Sequence, residues 1–332
     1  MQRRSFLKNA VVLGSSAYFG SHAMAWPGSS LPVSATGKKI GIIGLDTSHS
    51  EAFTRVLNTA ADTTYNGYRV TAAYPYGSKT IASSYNRIPG YIEKVKSHNV
   101  AICDSIDELL KQVDCVLLET NDGRLHPEQA AMVFQTHKPV FIDKPIGANL
   151  KEVAQVYEAA AKHGCSFFSS SSLRYTSAIT KIKEDKDLGK ILGATTFSPC
   201  TIEPTHDDLY WYGIHGVEML FAVMGPGCKT VQATHTADAD VATGVWEDGR
   251  IGTFRGTRTG VNAFGGQVFG EKRNVVLSDY EGYDGLLKAI IQYFETGEVP
   301  VPLQETKEIY AFMSAYQKSK RLRGKKVPLQ RF

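Results

Sequence analysis

The chain of 332 residues lacks the features that mark several common classes of protein. It has no run of 18 apolar residues, so we expect no helix that spans a membrane. Its formal net charge is only +4. Three basic side chains and no acidic one fall in the first 25 residues, which leaves about +1 for the rest and gives no indication of nucleic-acid binding. There is also no internal repeat and no low-complexity segment.

Cysteine is scarce as well. The five cysteines are an odd number, and no C-x-x-C pair occurs among them. Cys103, Cys115 and Cys165 lie in or beside apolar runs that are typical of strands. We therefore expect buried free thiols and no disulfide framework.

The first 37 residues have the pattern of a leader followed by a polar linker. Arg3 and Arg4 are paired, an apolar segment runs from Ala10 to Gly20, and residues 23–25 form a small-x-small cleavage site. The arginine pair and the Phe-Leu-Lys after it resemble the twin-arginine signal, which exports proteins that are already folded. We expect residues 1–25 to be a signal peptide, residues 26–37 to be a linker, and the protein to be exported to the periplasm.

The rest of the chain is expected to form two domains. Residues 38–168 alternate strand-like runs with helices of about 10–15 residues, which predicts a Rossmann-type, doubly wound parallel sheet of α/β class. In residues 169–332 strand-like runs follow one another directly, with a hairpin signal at Glu247-Asp248-Gly249. This pattern predicts an α+β domain with a large, mostly antiparallel sheet and helices on one face.

Glycine is missing where a dinucleotide-binding turn would need it. After the first strand such a turn reads G-x-G-x-x-G, because glycine lets the backbone approach a pyrophosphate at a helix N-terminus. Here Gly44 is retained, but Asp46 and His49 occupy the second and third glycine positions. A carboxylate beside a pyrophosphate is repulsive, and Asp46, Thr47 and Ser48 are also good N-cap residues. The turn therefore fits a weakened cofactor site or simply a well-capped helix.

Lys144 occupies a promising place in the predicted sheet. The apolar run of residues 139–142 ends in Asp143, Lys144 and Pro145, as a buried strand does when it reaches the sheet edge. Ligands of open parallel sheets bind beyond the carboxyl ends of the strands. A solvated lysine at a strand end is the alternative that the tripeptide leaves open.

Four segments resemble the Gfo/Idh/MocA oxidoreductases, named for glucose–fructose oxidoreductase and inositol dehydrogenase, and the likeness covers nearly everything after residue 38. The stretch Thr120-Asn121 with His126 is similar to the family's T-P-N…H pattern, and residues 139–153 resemble its E-K-P segment with Asp143 for glutamate. Residues 173–194 resemble the opening of the family's second domain, and residues 212–220 its G-x-H segment.

The resemblance implies roles for individual residues. The lysine matching Lys144 contacts nicotinamide and substrate, and the histidine matching His215 acts as acid and base. The aspartate that the family has four residues earlier is here Trp211. Further residues are implied on the cofactor side: Gly44, Leu45, Thr47, Ser48, Thr120, Asn121, His126 and Asp143. From the residues alone, His215 on its apolar helix could equally be a satisfied core histidine.

Other side chains near these segments are candidates for binding substrate: Arg174, Tyr175, His206, Trp211 and Glu218. Arg174 could instead be a structural ion-pair partner, and Trp211 with its neighbouring tyrosines could belong to the core. Glu203, His206 and His215 could in principle hold a divalent metal. They match no known ligand motif, so we expect no metal.

The sequence thus predicts an NAD(P)-dependent oxidoreductase acting on a sugar, polyol or glycoside, with the dinucleotide retained tightly because a periplasmic enzyme has no soluble pool of it. Two alternatives stay open. One is a glycoside hydrolase or lyase that works through a transient keto sugar, and the other is a cofactor-free enzyme or binding protein on the same fold. Ser78 and Lys79 could meet a 2′-phosphate or be ordinary loop residues, which leaves NAD and NADP undistinguished. An open sheet face indicates a homo-oligomer.

Overall fold

The computed structural model describes residues 39–182, 184–277, 280–330 and 332. The predicted signal peptide and linker lie outside these residues. Within the described part of the chain, no helix has both the length and the apolar character of a membrane span. The described residues belong to one compact unit, so the domain boundary at residue 168 stays a prediction.

The first sheet forms where short apolar runs alternate with helices. Its strands are β1 (Lys39–Ile43), β2 (Arg69–Tyr74), β3 (Ala101–Ile102), β4 (Cys115–Leu118), β5 (Val140–Ile142) and β6 (Phe167–Phe168). All neighbours are parallel, in the order β3-β2-β1-β4-β5-β6. The order reverses between β1 and β4, and this switch point is where open sheets of this type bind ligands. The predicted Rossmann-type sheet is confirmed.

Helices connect these strands and begin or end at residues that the sequence marks. They are α1 (Ser48–Thr59), α2 (Ala82–Tyr85), α3 (Ile88–Lys96), α4 (Ile106–Leu110), α5 (His126–Phe134) and α6 (Leu150–His163). Asn149 caps α6 by accepting a hydrogen bond from the Glu152 amide, and Gly164 ends it at φ 62°. Thr47 is the N-cap of α1. The capped-helix interpretation of the turn after β1 therefore holds.

The second sheet is larger and mostly antiparallel, as predicted. Its strands are β7 (Ile191–Pro199), β8 (Cys228–His235), β9 (Ala239–Trp246), β10 (Ile251–Thr257), β11 (Gly265–Gly270), β12 (Asn274–Leu277) and β13 (Val327–Pro328). Their order is β12-β11-β7-β10-β9-β8-β13, and only β7 and β10 pair in parallel. After β7 the chain leaves the sheet through the helix of residues 214–224, re-enters it at β8, and reaches β10 through two antiparallel pairings.

The remaining helices are α7 (Ser177–Ile182), α8 (Ile214–Met224), α9 (Asp284–Thr296) and α10 (Leu303–Arg321). Helices α8 and α10 pack on one face of the second sheet and share its core. Helix α9 packs elsewhere: Leu286, Ile290 and Phe294 join the core of the first sheet, beside Phe53 and Phe141. A helix from the end of the chain thus completes the domain formed by its beginning.

The cysteines match the expectation. Cys103, Cys115, Cys200 and Cys228 are buried, Cys165 is half-buried, and all five are free thiols.

Candidate functional site

The carboxyl edge of the first sheet collects charged side chains from three strand ends. His49 lies in the first turn of α1 after β1, Glu119 directly follows β4, and Asp143 and Lys144 follow β5. Glu119 is fully buried, and Asp143 and Lys144 are nearly so. Neighbouring parallel strands end at one edge, so residues far apart in sequence meet there.

His49 and Asp143 form the closest contact in this group. The His49 Nδ1 atom lies 2.8 Å from Asp143 Oδ2 and 4.0 Å from Glu119 Oε2. Burial would raise the pKa of Asp143, but the neighbouring His49 and Lys144 outweigh it and lower that pKa to about 2. Asp143 is therefore a carboxylate at neutral pH, and it holds the imidazole of His49 in one orientation.

Glu119 has the most unusual surroundings. Neither of its side-chain oxygens has a hydrogen-bond partner among the described residues, and Oδ1 of Asp143 also lacks one. Burial, and secondly the charge of Asp143, raise the pKa of Glu119 well above its ordinary value. Buried polar atoms in native proteins are nearly always hydrogen-bonded, so these unsatisfied oxygens require an explanation.

Lys144 is the fourth side chain of this charged group. Its side chain is only 7% exposed, and within the described chain its ammonium group makes no hydrogen bond or ion pair. Its charge nevertheless acts on Asp143, Glu119 and His215, because it lowers the pKa of each. The solvated-lysine alternative does not describe this buried cation.

His215 faces the same cleft from α8. A π-helical turn, Leu209–Gly213, precedes that helix; such turns are frequent at functional sites. The Nδ1 atom of His215 lies 2.7 Å from the Ser171 hydroxyl oxygen. Burial, followed by the charges of Lys144 and His49, lowers the pKa of His215 well below its ordinary value. The imidazole is therefore neutral at pH 7 and able to accept a proton.

A cavity of about 130 Å³ connects the two histidines. Its walls are formed by His49, Ser172, Leu173, Tyr212, His215, Phe264, Tyr280 and Tyr283. Most of these side chains are aromatic, and both imidazoles reach it. The cavity thus brings two acid–base groups to one wall, and Lys144 is not among its lining residues.

A second, larger cavity of about 620 Å³ lies beyond the ends of β2, β3 and β4. Tyr76, Lys79, Thr80 and Arg124 are among its lining residues. Arg124 donates hydrogen bonds to Asp122 and to the Thr80 hydroxyl. The sequence left open whether Lys79 is an ordinary loop residue. In the structure it lies in the wall of a cavity at the sheet edge.

Asp46 holds the loops at this edge together. Its carboxylate is fully buried and accepts hydrogen bonds of 2.9 Å from the backbone amides of Ser78 and Asn121. Gly77 is required beside it, because an added Cβ there would lie 2.0 Å from Asp46 Oδ2. Burial raises the pKa of Asp46. Asp46 therefore has a structural role in holding the two loops together.

The other predicted cofactor-side residues of the turn after β1 differ in their burial and contacts. Gly44 adopts φ +92° and packs against Thr120, where a Cβ would lie 2.6 Å from its backbone. Leu45 is a core residue, and the side chain of Thr47 caps α1. Ser48 is exposed at the start of α1. Of these four, only Ser48 presents its side chain to the outside of the sheet edge.

The predicted residues after β4 mainly stabilise their loop. His126 is fully buried, and its Nε2 atom lies 2.7 Å from the Thr120 carbonyl oxygen. Asn121 donates from its amide side chain to the Ser84 hydroxyl. His126 and Asn121 therefore position the loop beside the larger cavity and do not line it.

Arg174 and Glu218 contact each other instead of the cavity. Arg174 Nε donates to Glu218 Oε2 at 2.9 Å, and its Nη1 donates to Glu305 Oε1 at 2.5 Å. The structural ion-pair alternative for Arg174 describes this arrangement. Tyr175 packs beside Gly285 of α9 and is also absent from the cavity wall.

His206 belongs to a different part of the molecule from His215. Its Nε2 atom accepts a hydrogen bond from the Gly123 amide, and its Nδ1 lies 2.9 Å from the Thr205 hydroxyl. The Trp211 ring packs against it at 4.9 Å, and burial lowers the pKa of His206 to about 4. Glu203 binds Thr205. The alternative metal set of Glu203, His206 and His215 therefore does not come together in the described residues.

Sequence reasoning missed Glu119 and the aromatic wall. Glu119 directly follows the apolar strand β4, as Asp143 follows β5, and this position is the signal that could have identified it. Phe264 directly precedes β11, Tyr280 and Tyr283 lie between β12 and α9, and no sequence pattern places them beside His215.

Comparison with protein-family models finds a match for the first part of the chain. Residues 38–171 match the model of the oxidoreductase family with an NAD-binding Rossmann fold. The match to this model, named for Gfo/Idh/MocA, covers the first sheet and less than half of the chain. A search of curated proteins gives no match.

Solved structures of similar fold cover nearly the whole chain. Myo-inositol 2-dehydrogenase from Lactobacillus plantarum aligns with a TM-score of 0.72 at 16% identity, over 89% of this chain and 100% of that one. Scyllo-inositol dehydrogenase from Lactobacillus casei, crystallised with NAD(H) and scyllo-inositol, aligns with 0.72 at 14% identity, over 88% and 99%. At sequence identities this low, the alignments establish the shared fold alone.

A nicotinamide dinucleotide fits the carboxyl edge of the first sheet, which matches an NAD-binding Rossmann model. Lys144 lies free in the cleft at one end, and the cavity lined by Lys79, Thr80 and Arg124 offers cationic and hydroxyl groups at the other. Between them the exposed start of α1 at Ser48 leaves a helix N-terminus open to an anion. His49 is the departure from the family pattern.

Proposed function

We propose that the protein is an oxidoreductase that oxidises a hydroxyl group of a sugar, polyol or glycoside with a tightly held nicotinamide dinucleotide. The observation that carries the proposal is that the buried Lys144, at the edge of a sheet that matches an NAD-binding Rossmann model, is near enough to His215 for its charge to lower the pKa of that imidazole. The names of the structural neighbours, two inositol dehydrogenases, support a polyol-like substrate.

The residues of the cleft suit alcohol oxidation. His215 accepts the hydroxyl proton at Nε2, because its Nδ1 is held by Ser171. The Lys144 ammonium stabilises the negative charge that develops on the substrate oxygen. Tyr212, Phe264 and Tyr283 offer aromatic faces to the ring of a carbohydrate. When bound, the nicotinamide supplies the hydride acceptor.

The test is mass spectrometry of small molecules released when the purified protein is denatured. We expect about one nicotinamide dinucleotide per chain, and loss of turnover in His215→Asn with the dinucleotide retained. His235→Asn, at an exposed position of β8, is the matched control. Absence of any dinucleotide, together with no binding to the refolded protein, would contradict the proposal.

A second candidate is favoured by His49. Its imidazole lies at the third position of the glycine pattern and reaches the same cavity as His215. Two imidazoles at one pocket suit a hydrolase or lyase without net redox change, or a cofactor-free enzyme or binding protein. Cleavage of a glycoside by protein shown to contain no dinucleotide would select this alternative.

We also propose export to the periplasm and self-association. The leader pattern of residues 1–25 supports the first, and cell fractionation with an Arg3→Lys, Arg4→Lys variant tests it. For the second, Phe197, Ile251, Phe269 and Val276 are exposed on the open face of the second sheet. We expect Val276→Asp to shift the species seen by light scattering toward the monomer.

A further inference from the structure

We propose that His49, Glu119 and Asp143 form a binding site for one divalent transition-metal ion. Each of the three offers a ligand atom, and these atoms lie within 4.8 Å of one another. They come from three separate segments, the first turn of α1 and the ends of β4 and β5. No other group of three such side chains comes together in the described residues.

The first argument is that hydrogen bonding leaves this group incomplete. Both oxygens of Glu119 and Oδ1 of Asp143 are buried without a partner. A proton on Glu119 would not complete the group, because neither oxygen has a partner within hydrogen-bond distance among the described residues and His49 Nδ1 is 4.0 Å away. A proton would thus create a buried donor that also lacks a partner. A cation between the carboxylates would satisfy them both.

The second argument is charge. Glu119 and Asp143 can carry two negative charges in a buried space, and Lys144 supplies one positive charge without contacting either carboxylate. Buried carboxylates are normally paired or bound to a metal. When the His49 imidazole is neutral, as a metal ligand must be, two ionised carboxylates and Lys144 leave one negative charge uncompensated, and a divalent ion would compensate it.

The ligand types indicate which ions suit the site. One imidazole nitrogen with two carboxylate oxygens is a ligand set for Zn²⁺ or Mn²⁺, whereas Mg²⁺ and Ca²⁺ prefer oxygen ligands only. The hydrogen bond between His49 and Asp143 would be replaced by two metal bonds of about 2.0–2.2 Å. Because His49 also borders the small cavity, the ion would lie near a substrate oxygen there.

The metal site shares Asp143 with the implied cofactor side, but its ligand set leaves out the two residues to which the proposed redox function assigns chemistry. Neither Lys144 nor His215 is a ligand, and His215 is instead bonded to Ser171. The site also shares no residue with the set of Glu203, His206 and His215. Metal binding can therefore be measured without substrate and without dinucleotide.

The experiment is isothermal titration of the chelator-treated full-length protein with ZnCl₂ and, separately, MnCl₂. We expect one ion per chain for Zn²⁺ or Mn²⁺ and at least about 100-fold weaker binding of MgCl₂. Glu119→Gln and His49→Ala should each weaken binding of the favoured ion by at least about 100-fold, while His235→Ala leaves it unchanged. Asp143→Asn replaces either variant that fails to fold, as judged by circular dichroism.

Two results would overturn the proposal. One is equal binding by the Glu119→Gln and His235→Ala variants, which would assign the ion to other surface groups. The other is no binding, accompanied by a protonated-carboxyl infrared band near neutral pH that disappears in Glu119→Gln; Glu119 would then simply hold a proton. Absence of dinucleotide from the protein would affect neither result, so failure of the redox function remains distinguishable.

Discussion

Two groups of buried charged side chains differ in how many of their polar atoms have hydrogen-bond partners. In the first, Arg174 lies between Glu218 and Glu305 and donates a hydrogen bond to each. In the second, the His49 ring nitrogen lies within hydrogen-bond distance of Asp143, and Glu119 has no hydrogen-bond partner for either oxygen. Both groups are removed from solvent, so exposure does not explain the difference.

The difference separates a structural role from a functional one. A buried ion pair whose members meet directly holds its elements together, here the turn before α7, α8 and α10. A buried carboxylate left without a partner costs stability and persists where the site binds something. Polar character and burial alone, which the sequence can indicate, do not distinguish the two groups.

The largest effect is expected from breaking the first group. Arg174→Met would leave Glu218 and Glu305 as buried, unpaired carboxylates and should lower the free energy of unfolding by about 3–5 kcal/mol. Urea denaturation at pH 7 measures this loss. Arg55→Met is the matched control: Arg55 is largely exposed and pairs with Glu51 across one helical turn, so its loss should cost less than about 0.5 kcal/mol. Equal losses would refute the structural role of Arg174.

In the second group, substitution of Glu119 should change how the free energy of unfolding depends on pH. The pKa of Glu119 in the folded protein lies well above its ordinary value of 4.5, so the metal-free folded state holds its proton longer than the unfolded state. Its contribution to stability therefore declines as pH rises from about 4 to the raised pKa. Glu119→Gln removes this decline. We expect the stability of the variant relative to wild type to rise with pH above 4.5; a constant difference across pH 4–8 would contradict the assignment.

The smallest effect on stability is expected for Lys144→Met. The lysine makes no ion pair or hydrogen bond among the described residues, and the substitution also relieves burial of the ammonium. The free energy of unfolding should stay within about 1 kcal/mol of wild type, while turnover is lost. Thermal melting and an activity assay on the same preparation provide both measurements. Retained turnover would remove Lys144 from the mechanism.

The sequence predicts local features of this molecule well and long-range ones poorly. Strand–helix alternation places Lys144 at the sheet edge, because the apolar run that precedes it is continuous in sequence. His206 and His215 have different partners, and the π-helical turn that lies between them leaves no mark in a hydrophobic pattern. Glu119 escapes notice because nothing in its neighbourhood indicates that its oxygens remain unpaired.

The partition between the two sheets was predictable, but the destination of α9 was not. Its apolar face would suit either sheet, and only the folded structure shows that Leu286 and Ile290 pack with Phe53. Similarly, the parallel pairing of β7 with β10 joins strands more than fifty residues apart, whereas hairpin signals act over a few residues.

The position of α9 also affects when the protein can fold during synthesis. The first sheet is complete once β6 has been made, but the face that includes Phe53 and Phe141 stays uncovered until Asp284–Thr296 leaves the ribosome. The N-terminal half must therefore remain open, with apolar surface accessible to chaperones, until most of the chain has been translated. The core of the first sheet is therefore completed only when α9 packs on it.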